Sequence, residues 1–336
     1  MQVSMTKECE LSSISIIGCY FGKLRPDFGV WLQSCAANPT IDFLVFTDQQ
    51  WDDLPENVRF FHMSFSECRN LIQSKFDFPI SLNTPYKLCD FKPAFGYIFS
   101  EYIKEYTFWG WCDFDMIFGD IRAFITEDVL SRYDKILPFG HLSLMRNTIT
   151  NNQIFKTKGE SLDYRTVFSH SSIYVFDEIV GVYSFYKKLE IPVFLSPKII
   201  DISTYIHSSL VRAQGLDACL PYRTVNRRLQ TFLVQNGKVF CVYYDKGQIF
   251  YEENIYLHMS SRKYNSIISN RFLVTKHGFI DIGNKKIDKK LIKSVNKRLP
   301  VVFEIIDYEW TRVFRALKRR ITHSHSLINP EHIISR

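Results

Sequence analysis

Two acidic residues separated by one aromatic residue, Asp113-Phe114-Asp115, have the type and spacing of a divalent-metal site. We call this motif the D-x-D. Carboxylate oxygens are preferred ligands of Mn²⁺ and Mg²⁺, and such an ion can neutralise the charge of a departing diphosphate. The pair directly follows the apolar stretch Thr107 to Cys112, which is typical of a strand. A solvated turn or a helix cap is the alternative for such a pair. Its position at a strand end favours the metal site.

A histidine far downstream has a similar setting. His258 ends the apolar run Ile255 to Leu257, and two cations, Arg262 and Lys263, follow within five residues. An imidazole can complete a manganese site, and Lys or Arg side chains bind diphosphates. A packed or surface histidine is the alternative. Paired with the D-x-D, the pattern predicts Asp113, Asp115 and His258 as ligands of one Mn²⁺ or Mg²⁺ ion.

A second acidic pair, Asp177-Glu178, follows the apolar run Ser172 to Phe176, which we expect to be a strand. A carboxylate there could act as a general base that takes the proton from a hydroxyl group. The alternative is a helix N-terminus, where acidic residues are favoured. Asp177 is the preferred base of the two. Four polar residues on the next predicted strand could line the cleft or could make structural hydrogen bonds, and the second reading is favoured for each: His141, Ser143, Arg146 and Asn147.

These residues need a sheet to position them. The runs Ile14 to Cys19 and Ile41 to Thr47 are short, apolar and β-branched, and the segment Gly29 to Ala37 between them has helical spacing. The pattern predicts a strand, helix, strand unit that opens a nucleotide-binding α/β sheet. Further elements are expected as helical segments at 87–106 and 122–126, strands at 135–145 and 255–257, and a hairpin of 238–244 with 248–252.

The densest part of the chain, Tyr86 to Ile121, resembles the core of GT-A glycosyltransferases, particularly bacterial capsule and O-antigen enzymes. Several of those families share an acidic and basic helix, an aromatic-Gly strand, the D-x-D, and a late His followed by Lys. The residues that carry the likeness, in chain order, are Asp90, Lys92, Asp113, Asp115, His258 and Lys263. The likeness extends over roughly residues 12 to 265.

The resemblance implies a GT-A fold, an α/β, Rossmann-like domain with a mostly parallel central sheet. It also implies a UDP-sugar donor and transfer of a hexose, galactose-type favoured, to a saccharide or lipid-linked saccharide acceptor, by an inverting reaction in which Asp177 or Glu178 takes the proton of the acceptor hydroxyl. The predicted donor-binding residues are Tyr20, Phe21, Gly22, Lys23, Asp48, Asp90, Lys92, Asp113, Arg262 and Lys263. The first turn could instead be an ordinary loop, and Asp90 with Lys92 a surface ion pair.

The hydrophobic fraction of 46% and the aromatic fraction of 15% exclude a disordered chain. The charge of +7 is uneven, and we expect a catalytic domain over 1–275 and a basic helical extension over 276–336. In that extension Trp310, Val313, Phe314 and Leu317 form an apolar stripe beside cations. Such a helix either lies on an anionic membrane or packs on the catalytic domain. Residues after His323 are expected to be disordered.

The remaining features bear on location and partners. The eight cysteines are spread singly, which predicts reduced thiols and no zinc site. No run is long enough to span a bilayer and the polar N-terminus lacks the layout of a secretory signal, so we expect a cytoplasmic protein, peripheral at the inner face of the membrane.

The non-enzyme alternative is a nucleic-acid-binding module. The aromatic residues lie in core-like strands and no known motif appears, so no nucleic-acid partner is expected.

Overall fold

The computed structural model describes residues 11–158, 162–213, 220–221, 224–260, 262–296 and 301–321; in the last range, side chains are described for 302–316. The strands are β1 Ile14–Tyr20, β2 Ile41–Thr47, β3 Val58–His62, β4 Phe108–Cys112, β5 Met116–Phe118, β6 Lys135–Ile136, β7 Leu142–Arg146, β8 Val193–Phe194, β9 Ile200–Asp201, β10 Gln230–Gln235, β11 Lys238–Asp245, β12 Gln248–Asn254, β13 Tyr256–His258, β14 Arg271–Thr275 and β15 Gly278–Asp281. The α-helices are α1 Phe28–Ala36, α2 Phe65–Gln73, α3 Phe95–Ile98, α4 Glu127–Arg132, α5 Ile149–Asn152, α6 Tyr164–Ser169, α7 Val182–Lys188, α8 Lys289–Val295 and α9 Val301–Ile321. Shorter 3₁₀ segments are Pro85–Ala94, Ser100–Tyr102 and Ile154–Lys156.

The largest sheet in the described part of the chain has seven strands in the order β3-β2-β1-β4-β7-β6-β8. β1 pairs in parallel with both β2 and β4, and β2 pairs in parallel with β3. β7 is antiparallel to β4 and to β6. β1 and β2 are almost entirely buried, which explains their continuous apolar sequences. The predicted mixed α/β fold with a mostly parallel sheet and a strand, helix, strand opening is therefore confirmed.

Two smaller sheets complete the described part of the fold. One is antiparallel, in the order β12-β11-β10-β14-β15, and contains the predicted hairpin. The predicted domain boundary at 275/276 falls between β14 and the turn that leads to β15, so β15, at residues 278–281, lies in the same sheet as β14. The other sheet has the order β5-β13-β9. It matters for function because it sets β13, and so His258, beside the strand that follows the D-x-D.

Phe114 fixes the D-x-D to the core. Its ring is buried against Trp31, at a centroid distance of 4.9 Å, and against Tyr20, at 5.1 Å. Gly18 on β1 makes room for it, because a Cβ there would lie 2.5 Å from the Phe114 Cζ. The anchored aromatic residue holds its two acidic neighbours at the carboxyl end of β4.

Three predicted elements are wrong. Residues 172–176 form no strand, because the amides of Tyr174 and Phe176 donate to the buried Asp90 carboxylate instead of to a neighbouring strand. The predicted strand 135–145 is two strands, β6 and β7, separated by a segment in which Leu137 has a positive φ of 61° and is followed by a proline. The predicted helix 122–126 is a turn; α4 begins only after Thr126, whose side chain caps it.

Lys135 on β6 is fully buried, with Nζ 4.4 Å from the centre of the Trp111 ring and a hydrogen bond to Ser143 Oγ. Burial lowers the pKa of Lys135 to about 7. Lys135→Met should raise the free energy of unfolding at pH 6 by ~1–3 kcal/mol, because the ammonium no longer has to be desolvated. Ser143 keeps its bond to the Leu137 carbonyl at 2.5 Å.

The pH dependence tests this prediction. The pKa of Lys135 is lower in the folded chain than its ordinary 10.5, so wild-type stability rises with pH between about 7 and 10.5. The advantage of Lys135→Met should therefore shrink over that window in urea unfolding curves. Lys290→Met, at an exposed position on α8, is the control. An advantage that does not change with pH would contradict a buried charge at Lys135.

Candidate functional site

The D-x-D carboxylates and His258 lie together. One candidate ligand atom from each of Asp113, Asp115 and His258 falls within 4.8 Å of the other two, and His258 Nε2 is 3.3 Å from Asp115 Oδ1. The backbone enforces this approach, because β13 pairs with β5 and the Met259 amide donates to the Asp115 carbonyl at 2.7 Å. The structure thus brings together three side chains that the sequence separates by up to 145 positions. Their role as metal ligands stays a prediction.

Asp201, on β9, orients the imidazole. Its Oδ1 lies 2.8 Å from His258 Nδ1 and accepts a bond from Ser260 Oγ at 2.9 Å. A carboxylate on Nδ1 fixes the tautomer and leaves Nε2 for a metal ion. Burial raises the pKa of Asp201, but the bond and charge of His258 outweigh it and the pKa lies below its usual value. Burial lowers the pKa of His258, but Asp115 and Asp201 outweigh it and the pKa lies well above its usual value.

Asp201→Asn should weaken Mn²⁺ binding about tenfold to a hundredfold, because the imidazole loses the charge that holds it and raises its basicity. The change is isosteric, so the fold should be kept. Titration calorimetry or the electron paramagnetic resonance signal of free Mn²⁺ would measure the affinity. Asp128→Asn is the control, since Asp128 is exposed and pairs with Arg132 on the surface. Equal affinities for both variants would remove Asp201 from the site.

Lys92 joins the D-x-D to the second acidic pair. Its ammonium donates to Asp113 Oδ1 at 2.6 Å, to Asp177 Oδ2 at 2.8 Å and to the Gly140 carbonyl at 2.9 Å. Burial lowers the pKa of Lys92, but Asp113 and Asp177 outweigh it and the pKa lies well above its ordinary value. Lys92 is therefore a permanent cation between two acidic groups.

Asp90 has different partners from Lys92. It is fully buried, and it accepts from Lys87 Nζ at 2.8 Å and from the amides of Tyr174 and Phe176. The alternative of a surface ion pair between Asp90 and Lys92 is therefore wrong. These contacts make Asp90 a support for the segment that leads into Asp177.

The acidic pair Asp177-Glu178 lies on the other side of Lys92 from the D-x-D. Burial raises the pKa of Asp177 to about 6, although Lys92 opposes this. Burial and then the charge of Asp177 raise the pKa of Glu178 to about 8. The Gly140 amide donates to Glu178 Oε2 at 3.1 Å, and a Cβ at Gly140 would lie 2.7 Å from an oxygen of each carboxyl group. The pair can therefore exchange a proton near neutral pH.

The predicted nucleotide turn lies at the same edge of the sheet. The Gly22 amide donates to Asp48 Oδ1 at 2.9 Å, with Gly22 at a φ of +90° that favours glycine, and Tyr20 packs on Phe114. Gly22 and Lys23 are exposed, as a phosphate contact requires. The Phe21 ring is buried against Phe65, so its side chain is part of the core.

Arg262 and Lys263 differ in what they offer. The Arg262 guanidinium donates to the carbonyls of Ser203, at 2.8 Å, and Ile206, at 3.0 Å, so it fixes a loop. Lys263 is exposed. Ser261, between His258 and these cations in the predicted motif, lies outside the described residues. The Arg25–Asp27 ion pair, which was not predicted, lies nearby. Asp27 accepts a hydrogen bond from the Tyr264 amide at 3.1 Å and so links the segment after Lys263 to the loop between β1 and α1.

His141 is the most unusual polar residue of the site. It is 3% exposed, its ring stacks on His258 at 4.4 Å and on Phe139 at 5.0 Å, and neither ring nitrogen has a hydrogen-bond partner among the described residues. Burial and then His258 lower its pKa to about 3, so the ring is neutral. A buried imidazole with unfilled bonding capacity calls for a ligand, a water molecule or an ion.

Sequence comparison gives a family but no activity. The chain matches no curated protein. No α-helix in the described ranges is long and apolar enough to cross a membrane. A family model, described as a family of unknown function (DUF6625), matches residues 16–283, from β1 to just past β15 and across every candidate site residue. The chain belongs to this family of unknown function.

Proposed function

We propose that the chain is a metal-dependent glycosyltransferase that moves a hexose from a UDP-sugar to a saccharide acceptor. One observation carries the proposal. Asp113, Asp115 and His258 converge at the carboxyl edge of the parallel strands, with the His258 Nδ1 already engaged by Asp201. In open α/β sheets this edge is where nucleotide ligands bind.

The chemistry of the site fits a divalent cation. Acidic groups outnumber cations there, with Asp113, Asp115, Asp177 and Asp201 grouped around Lys92 and His258. Two carboxylates and one imidazole suit Mn²⁺ and, with more water, Mg²⁺. When bound, the ion would neutralise charge on the diphosphate of the donor.

The residues of the chain have separable roles in this proposal. Asp48 and the exposed turn at Gly22 and Lys23 hold the nucleotide end of the donor, and Lys263 supplies a second cation for the diphosphate. Arg262 donates to the carbonyls of Ser203 and Ile206 and so positions the loop that contains them. Lys92 holds Asp177 beside the donor-binding edge.

Asp177 is the proposed base. It takes the proton from the acceptor hydroxyl as that oxygen attacks the anomeric carbon from the side opposite to the diphosphate, the bond to the diphosphate breaks and UDP departs, which corresponds to an inverting transfer. At pH 7, between the pKa of about 6 for Asp177 and the pKa of about 8 for Glu178, Asp177 is mostly ionised and Glu178 is mostly protonated. The proposed acceptor is a saccharide, in lipid-linked form at the cytoplasmic face of the membrane, and the proposed donor hexose is galactose-type.

A panel of nucleotide sugars tests the proposal. The chain is incubated with UDP-galactose, UDP-glucose and their N-acetyl forms, with Mn²⁺ or with EDTA, and both the melting temperature and UDP release are measured. One UDP-sugar should raise the melting temperature and release UDP slowly, and only with Mn²⁺, because a ligand stabilises the state that it binds. GDP- and CMP-sugars are the controls. If no nucleotide sugar stabilises the chain or is hydrolysed with Mn²⁺, the proposal fails.

A further inference from the structure

Helix α9 is held against the rest of the chain by polar contacts. Asp307 accepts from the amides of His207 and Ser208, at 2.8 and 2.7 Å. Glu304, 3% exposed, accepts from Ser209 Oγ at 3.0 Å. Further along, Arg315 donates to the Thr204 carbonyl at 2.8 Å and lies over the Tyr205 ring. The side of α9 that faces the protein is therefore its charged side.

The opposite side of α9 is mostly apolar and faces outward; Glu309, which pairs with Arg312, also lies on it. At 100° per residue its members span about half of the helix circumference, away from Glu304, Asp307 and Arg315. These residues form what we call the outer face of α9: Val302, Phe303, Ile305, Ile306, Trp310, Val313 and Phe314. They are 46–71% exposed. A surface helix normally turns its apolar side to the core, so an exposed face of this size marks an interaction surface.

The charge of this region indicates the partner. Residues 285–321 contain twelve Lys and Arg and four Asp and Glu, a surplus of eight positive charges, while the whole chain carries +7. The basic surplus of the protein therefore lies entirely in this segment. Two of its acidic residues, Glu304 and Asp307, are engaged in the docking contacts, and Glu309 pairs with Arg312. The net positive charge of this segment would attract an anionic partner.

We infer that the outer face of α9 binds the surface of an anionic lipid bilayer. Aliphatic Val and Ile side chains make up most of this face, and they enter a lipid surface but offer no ring for stacking on nucleic-acid bases. Trp310, 71% exposed, is the side-chain type enriched at the boundary between lipid and water. The polar contacts of the inner side remain intact on binding, so the helix attaches the folded chain to the bilayer without crossing it.

This inference does not depend on the proposed function. If both hold, the bilayer surface is where a lipid-linked acceptor is found, and α9 keeps the enzyme near it. Donor hydrolysis needs no membrane, so the two proposals can fail separately.

Sedimentation of the full chain with vesicles tests the inference. Vesicles of phosphatidylcholine with 30% phosphatidylglycerol should bind the chain, pure phosphatidylcholine vesicles should bind it much more weakly, and 0.5 M salt should reduce binding to the anionic ones. The variant Trp310→Glu with Phe314→Glu should bind anionic vesicles about tenfold or more weakly. The matched control is Ile149→Glu with Ile268→Glu, at residues 80% and 102% exposed, and it should bind as the wild type does.

Several outcomes would overturn the inference. Equal vesicle binding by the α9 variant and the control would show that the outer face is not the contact, and equal binding to neutral vesicles would show that charge plays no part. Loss of oligonucleotide binding in the α9 variant, without any vesicle binding by the wild type, would assign the face to nucleic acid. A dimer lost in the variant, again without vesicle binding, would assign it to a second copy. An unchanged melting temperature shows that the variant folds.

Discussion

Asp115→Ala should abolish Mn²⁺-dependent UDP release and Mn²⁺-dependent stabilisation by the donor. The Asp115 carboxylate lies 3.3 Å from His258 Nε2, and without it the proposed ion loses one of its three protein ligands. We expect at least about a hundredfold lower UDP release at fixed Mn²⁺, because stabilisation of the leaving diphosphate by a metal contributes several kcal/mol. Steady-state UDP release against Mn²⁺ concentration is the measurement.

The fold should survive this change. The Asp115 backbone carbonyl, which accepts from the Met259 amide at 2.7 Å, is still present in an alanine variant. Circular dichroism should be unchanged without metal. Asp128→Ala, at the exposed surface pair with Arg132, is the matched control and should keep full UDP release. A normal Mn²⁺ response in Asp115→Ala would remove the proposed metal site.

Lys92→Met should lower the free energy of unfolding at pH 7.5 by ~3–5 kcal/mol, because it leaves buried acidic groups without their cation. Lys92 is 8% exposed and contacts two carboxylates, of which Asp177 is buried. The Asp113 side chain is 35% exposed, so water can solvate its carboxylate when Lys92 is removed, and its contribution to the loss of stability is smaller. Most of the loss should therefore come from Asp177. Urea unfolding gives the free energy.

The pH dependence identifies the cause of that loss. In the wild type, the folded pKa of Lys92 lies above its unfolded value, so the lysine itself stays charged at pH 5 and 7.5 and loses its proton only at alkaline pH, whereas its partner Asp177, with a pKa of about 6, is largely ionised at pH 7.5 and largely protonated at pH 5. Without Lys92, the pKa of Asp177 rises further and the variant regains stability by taking up a proton as the pH falls. The deficit should thus be smaller at pH 5 than at pH 7.5. Lys104→Met, at a residue with a 59% exposed side chain, is the control. A deficit below about 1 kcal/mol, or one equal at both pH values, would contradict this account.

The two variants separate chemistry from support. Asp115→Ala should abolish the metal response at a smaller cost in stability to the metal-free chain, because Asp201 still pairs with His258. Lys92→Met should reduce both, because Lys92 fixes Asp113 of the D-x-D and Asp177 of the acidic pair at once. A stable Lys92→Met chain with wild-type UDP release would contradict the arrangement of the whole site.

Local sequence patterns determined the elements on which the site stands. β1, β2 and β4 were predictable because a buried strand needs a continuous apolar run, and that signal is contained in a few adjacent residues. The placement of Asp113 and Asp115 at the end of β4 followed from the same run. The strand predicted at 172–176 was wrong because Asp90, more than eighty positions earlier, takes its amides, and no local pattern records such a bond.

Only the tertiary structure decided how the side chains meet. Asp201 was not predicted, because β9 has two residues, too few to show a period, and Asp201 reaches His258 only through the pairing of β9 with β13. Lys92 was predicted near the donor from the resemblance alone. Its contacts with Asp113 and Asp177 form because segments that are distant in the sequence pack against each other. Apolar periodicity depends on neighbours in sequence and can be read along the chain. Hydrogen bonds and ion pairs between distant segments depend on how the sheets assemble, and they appear only when the chain is folded.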